Sequence, residues 1–239
     1  MKKLTSIFVV TLGISLSYGT EASARIITEI SPPTGSGLGN TFCTFVQTPV
    51  ETPNPNNDNT IEQSQNVIPN FPGLSCTPIT YQNVAPVDTS LFVEPSGGTT
   101  EYFVSTTVVN ETNTNWNGFR FQIGFGNGNN FAPPELILLP AGVIIPSFDE
   151  DTEPTSSQFT QLIQDGSFSL VWSGGNVAPG ESVDFSFSLD VPDDLAGLNF
   201  YESFTIRATP VPEPFTLLGV ATSIGMGAAF KHKQQKKSK

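Results

Sequence analysis

The side chains in this 239-residue chain with the most chemistry open to them are two cysteines, one histidine and a surplus of carboxylates. The histidine, His232, lies among the lysines of the last nine residues. The rest of the chain therefore lacks the imidazole that Ser-His-Asp and Cys-His nucleophiles require, and it lacks histidine metal ligands. No lysine stands between Arg25 and Pro210, which removes Schiff-base and Ser-Lys mechanisms from that stretch. Carboxylates survive this test: the same stretch holds 20 acidic residues, and two of them could form a glycosidase pair. No spacing singles out which two. Asp149-Glu150-Asp151-Thr152-Glu153 and Asp190–Asp194 are the local acid clusters. Their hard oxygens could hold Ca²⁺, with Asp149, Asp151 and Glu153 as candidate ligands, or each cluster could be a solvated loop. Pro154 stands where an EF-hand loop needs glycine.

Charge divides the chain sharply. Three basic residues (Arg25, Arg120, Arg207) face the 20 acids of the body, whereas five lysines and no acid follow Phe230. An acidic body repels phosphate backbones, so nucleic acid is excluded as a partner. Solubility outside the cell accounts for the charge; cation binding is the alternative. Delivery to the outside is written at the N-terminus. Lys2 and Lys3 precede an apolar run from Ile7 to Leu16, and Ala22-Ser23-Ala24 follows. That order predicts a signal peptide over residues 1–24, cleaved after Ala24. Export would carry Cys43 and Cys76 into an oxidising compartment. A disulfide there would close a loop around the Pro/Asn-rich segment Thr52–Asn59, worth about 3–4 kcal/mol in loop-closure entropy; two free thiols are the alternative.

The C-terminus has three parts: Val211-Pro212-Glu213-Pro214, an apolar run from Phe215 to Phe230, and the basic tail 231–239. A helix over the run reaches roughly 24 Å, short of the ~30 Å hydrocarbon core, so it spans by thinning the bilayer or by snorkelling of its lysines. Basic flanks predict a cytoplasmic C-terminus with the body outside. Residues 210–239 resemble the PEP-CTERM sorting signal of exported bacterial proteins, with Pro212, Glu213 and Pro214 at the motif positions. The resemblance implies an exosortase-type protease that reads the motif and removes the helix. An ordinary single-span anchor behind a Pro-rich stalk is the other reading.

The body, residues 25–209, predicts an all-β fold: an antiparallel β-sandwich, Ig-like or jelly-roll-like, with an irregular excursion near 50–80. Phe119, Phe121, Ile123 and Phe125 alternate with polar residues, as do Val183, Phe185, Phe187 and Leu189. Shorter strand candidates are Ile26–Ile30, Phe42–Val46, Ser90–Glu94, Tyr102–Val109, Leu136–Leu139, Phe168–Trp172 and Phe204–Ala208. Turns are marked at Asn127-Gly128, Asp165-Gly166, Gly174-Gly175 and Pro179-Gly180. Ser157–Gln164 is the one helical candidate. The Gly124, Gly126, Gly128 series lacks nucleotide-loop spacing and carries a strand into a turn. Asn110-Glu111-Thr112 fits the N-glycosylation pattern. Two phrases, Val109–Thr112 continuing through Asn115–Phe119, and Ala178–Ser182 leading into Val183–Leu189, resemble a β-sandwich module of PEP-CTERM proteins that carries no assigned activity.

These readings predict a noncatalytic envelope-surface or matrix protein that could adhere to exopolysaccharide. The alternative is a carbohydrate- or Ca²⁺-binding module stacking sugars on Tyr81, Trp116, Trp172 or Tyr201, although Trp116 also fits a core anchor. A carboxylate hydrolase comes third.

Overall fold

A computed structural model describes residues 25–40, 43–44, 66–68, 75–76, 78–95, 99–138, 143–149, 152–164, 166–192 and 201–212. The expected signal peptide, most of the 50–80 excursion and everything after Pro212 lie outside the described residues. Among the described residues there is no α-helix, and none is long and apolar enough to cross a membrane.

The chain is all-β. Its strands are β1 (Arg25–Ile30), β2 (Cys43–Thr44), β3 (Asn66–Ile68), β4 (Ser75–Cys76), β5 (Ile79–Tyr81), β6 (Val87–Pro95) and β7 (Thr99–Asn110). They continue as β8 (Trp116–Gly124), β9 (Ser147–Phe148), β10 (Thr155–Ser156), β11 (Gln161–Gln164), β12 (Ser169–Ser173), β13 (Ser182–Pro192) and β14 (Ser203–Pro212). One sheet has the order β1-β6-β14-β8-β12-β11; the other runs β10-β13-β7-β3, with β5 also on β7 and β9 also on β13. The pairings are antiparallel except β3 and β5, which lie parallel to β7. The expected purely antiparallel arrangement is thereby corrected: β3 and β5 run in the same direction as β7 and share its edge.

Alternation explains which faces meet. On β8, Phe119, Phe121 and Ile123 are buried while Arg120 and Gln122 point away; on β13, Val183, Phe185, Phe187 and Leu189 are buried. Rings from the two sheets then touch: Phe119 and Phe185 lie 4.8 Å apart, Phe121 and Phe187 5.0 Å, Trp172 and Phe185 5.0 Å between centroids. Each such side chain stabilises the fold by about 1.5–3 kcal/mol through burial alone.

Two local expectations fail. Leu136–Leu139 was expected as a strand, but Pro134–Leu136 forms a single 3-10 turn, with Leu136 and Leu138 exposed at 78% and 96%. Pro133 and Pro134 have no N–H to give a ladder. Ser157–Gln164, expected as a helix, instead crosses from one sheet to the other and ends in β11, whose residues pair with Ser173 to Leu170. A free edge on β12 supplies ladder partners that an isolated two-turn helix cannot match. The turn dipeptides were placed correctly: Gly128 and Gly180 sit at φ of 58° and 87°, open to glycine without strain.

Candidate functional site

The aromatic residues expected to form a sugar platform are all in the core. Tyr81 and Trp116 are fully buried and pack edge-to-face at 5.4 Å, and Trp172 packs against Phe121 at 5.6 Å. Their polar atoms point to internal partners. Tyr81 donates its hydroxyl to the Ala208 carbonyl (3.2 Å), Trp116 Nε1–H to Thr112 Oγ1 (3.3 Å), and Tyr201 its hydroxyl to the Pro192 carbonyl. Inward strand positions and satisfied polar handles decide this outcome. The acid cluster is likewise divided. Asp149 is buried and accepts the Thr152 N–H, Glu153 is exposed, and Asp151 lies outside the described residues. Among the described residues no three His, Cys, Asp or Glu side chains converge on a cation position.

The two motif phrases, far apart in sequence, meet at one end of the molecule. Asn110 closes β7 and is fully buried. Its Nδ2 donates to the carbonyls of Thr114 (2.9 Å) and Val177 (2.8 Å), and its Oδ1 accepts the N–H and the hydroxyl of Thr112. Its backbone N–H donates to Glu181 and its carbonyl accepts from Gly180. Glu181 folds its carboxylate back onto the Ala178 N–H (2.8 Å). The asparagine of the glycosylation pattern is therefore a structural knot with no free amide hydrogen and no exposure. At this same pole Trp116 pairs with Pro212, the last described residue.

Sequence reasoning missed a second polar cluster, on the outer face of the sheet that holds β6, β14 and β8. Asp88 and Arg207 are cross-strand neighbours on β6 and β14, joined in a two-pronged ion pair at 2.7 and 2.8 Å. Asp88 also accepts the Gly128 N–H, and Arg207 donates to the Gly128 carbonyl, both at 2.7 Å. Phe131 lies 3.9 Å from the guanidinium carbon, over Gly124, where a Cβ would stand 2.6 Å from its ring. Ser90 and Thr205 share the Asn127 Oδ1 at 3.0 Å each. The cluster latches the loop 126–131 onto the sheet. Its one legible sign was the scarcity of arginine in so acidic a body.

A cleft of ≈ 620 Å³ opens at the lateral side where β10 and β11 border the two sheets. Its apolar floor is Phe159, Leu162 and Trp172; Glu153, Thr155, Thr160 and Gln161 stand on its walls. Gln164 lines it too, and its Nε2 is buried without a hydrogen-bond partner among the described residues. A buried donor left unmet costs about 1–3 kcal/mol, so an acceptor entering here gains what the fold leaves unsatisfied. No sequence signal marked this cleft, because its lining comes from two edge strands and the crossing between them. Glu153 is the single carboxylate in its lining. Glu101 on β7 stands directly across from Asp190 on β13, outside the cleft lining, and neither is without a partner.

Compared with family models, curated proteins and solved structures, this chain matches none.

Proposed function

We propose that the chain is an exported, noncatalytic envelope-surface or matrix protein: an acidic β-sandwich, Ig-like or jelly-roll-like, delivered by a signal peptide and held or sorted through residues 210–239. The observation that carries this reading is the junction at Pro212. The central strand β14 runs to Val211 and Pro212, and in sequence the Glu213-Pro214 step, the apolar run and the lysine tail follow directly. An exosortase-type protease acting near Pro214 is the partner this order supports. Mass spectrometry of the protein from its native host tests it. Loss of the segment after Pro214 is expected, and an intact C-terminus on the mature protein would overturn the processing.

A second reading, carbohydrate binding, is favoured by the unmet Gln164 donor in the cleft, not by stacking on exposed rings. A neutral polyhydroxylated chain offers acceptors to Gln164 and apolar ring faces to Leu162 and Phe159, and suits walls of Thr and Gln. Titration calorimetry against neutral exopolysaccharide fragments should show saturable binding that Gln164→Ala weakens. Binding unchanged by that substitution removes the cleft from the account.

Cys43 and Cys76, we further propose, are paired. They stand directly opposite in the short β2–β4 ladder. Opposed residues of an antiparallel ladder have Cα atoms about 4.5–5.5 Å apart, inside the disulfide range. Their side chains lie outside the described set.

A further inference from the structure

We infer that the pole built from residues 35–39, 82–86, 111–115 and 177–181 is a lipid-apposed surface, pressed against the exported side of the bilayer for as long as the C-terminal run holds the chain. The inference rests on the reading of Phe215–Phe230 as a membrane span and adds which face of the domain meets the lipid.

Tether length is the first argument. Pro212 pairs with Trp116 and Val211 with Gly118, so β14 remains in the sheet to its last residue. From Pro212 to Phe215 there are three peptide steps, at most about 11 Å when fully extended. The polar headgroup zone is itself about 5–8 Å deep on each side, so about half to three-quarters of that reach is consumed in crossing it.

Nor can the tether lengthen cheaply. β14 lies between β6 and β8, with Phe204, Ile206 and Ala208 buried. At the exit, Gly118 approaches the Trp172 carbonyl so closely that a Cβ would stand 2.5 Å from it. Paying out chain would mean peeling residues 209–212 from β8, and going past Ala208 would unzip β14 from β6 as well.

The third argument is the chemistry of the pole. Val84 and Val211 are two of the exposed large hydrophobics, and both are here. Around them are Asn83, Asn113, Thr114 and Asn115, and the four loops contain no Lys or Arg. Neutral amides and hydroxyls, with Glu111 and Glu181 the two acids among them, suit an interface of headgroups and water. The opposite pole, with the loop 126–131 and the turn Pro134–Leu136, exposes Leu136 and Leu138 further, so the short tether and not apolar exposure decides which pole meets the lipid.

The test uses the full chain in phosphatidylcholine vesicles and a variant with ten Gly/Ser residues between Pro214 and Phe215, which adds about 16–19 Å of mean reach. Carbodiimide labelling of carboxylates, read by mass spectrometry, reports the two poles separately: Glu111 on the proposed face, Glu135 and Glu202 on the other. Glu111 should label roughly threefold or more slowly in the unmodified chain than in the lengthened one, with Glu135 and Glu202 unchanged. Equal labelling of Glu111 in both, while both float with the vesicles, overturns the inference and leaves the span intact. Failure of the unmodified chain to float overturns the span reading and the inference together.

Discussion

Arg207 shows how much a single side chain can hold in a body with so few cations. It is paired two-pronged with a buried Asp88, bonded to the Gly128 carbonyl and covered by Phe131. Removing one partner of such a pair strands the other charge, so Arg207→Ala should destabilise the chain by about 3–5 kcal/mol, read as a lowered urea midpoint. A loss below about 1 kcal/mol would mean that the pair is screened as an ordinary surface bridge is. Tyr102 sets a pH limit. Burial pushes its phenol up to about 12, and the Ile27 N–H donated to its oxygen pulls the other way. Tyr81 is raised well above its usual value, first by burial and then by the Asp88 charge. A phenol of raised pKa keeps its proton where the unfolded chain has lost it. The stability it contributes is whole below about pH 10 and is lost as pH rises towards 12. The melting temperature should therefore hold to about pH 10 and fall above it, with a shallower fall in Tyr102→Phe.

At the scale of elements, the pole loops are specified by short-range polar chemistry and the sheets by alternation. Asn110 holds its loop through four side-chain bonds to Thr112, Thr114 and Val177. Asn110→Ala should cost about 2–3 kcal/mol by urea denaturation and leave buried carbonyls unmet. Peptide mapping should also find no glycan at Asn110. Gly118 marks where β8 and β12 come too close for any side chain, since a Cβ there meets backbone and not a flexible tip. Gly118→Ala should cost about 1–3 kcal/mol in the same assay. β8 and β13 were legible because every second residue is large and apolar. β11 was not: in Gln161-Leu162-Ile163-Gln164 neither period is clear, and pairing with β12 decided it.

At the scale of the molecule, two covalent features bracket the fold. If Cys43 and Cys76 pair as the register supports, reduction should lower stability by about 3–4 kcal/mol, seen as a drop in melting temperature in dithiothreitol with no change in the Cys43→Ser, Cys76→Ser double variant. At Pro212 a strand held between β6 and β8 leads directly, in sequence, to the C-terminal run. If residues 215–230 span a membrane as proposed, the placement of the chain and the orientation of the domain upon it are one structural question.

The order of charge and hydropathy along the chain, the acidic body and the all-β alternation were properties of the sequence by itself, because hydropathy, charge and period two are local and additive. Absence of histidine and lysine from the body was equally plain, and it confines catalytic readings to carboxylates. Which aromatics face outward was not legible, since one residue's register flips a ring between solvent and core. The ion pair of Asp88 with Arg207 and the Asn110 bond to Val177 join residues tens of positions apart, and the cleft with its unmet Gln164 forms where β10 and β11 part to different sheets. Only the packing of two sheets brings such groups together, and it also decides which pole the tail leaves from.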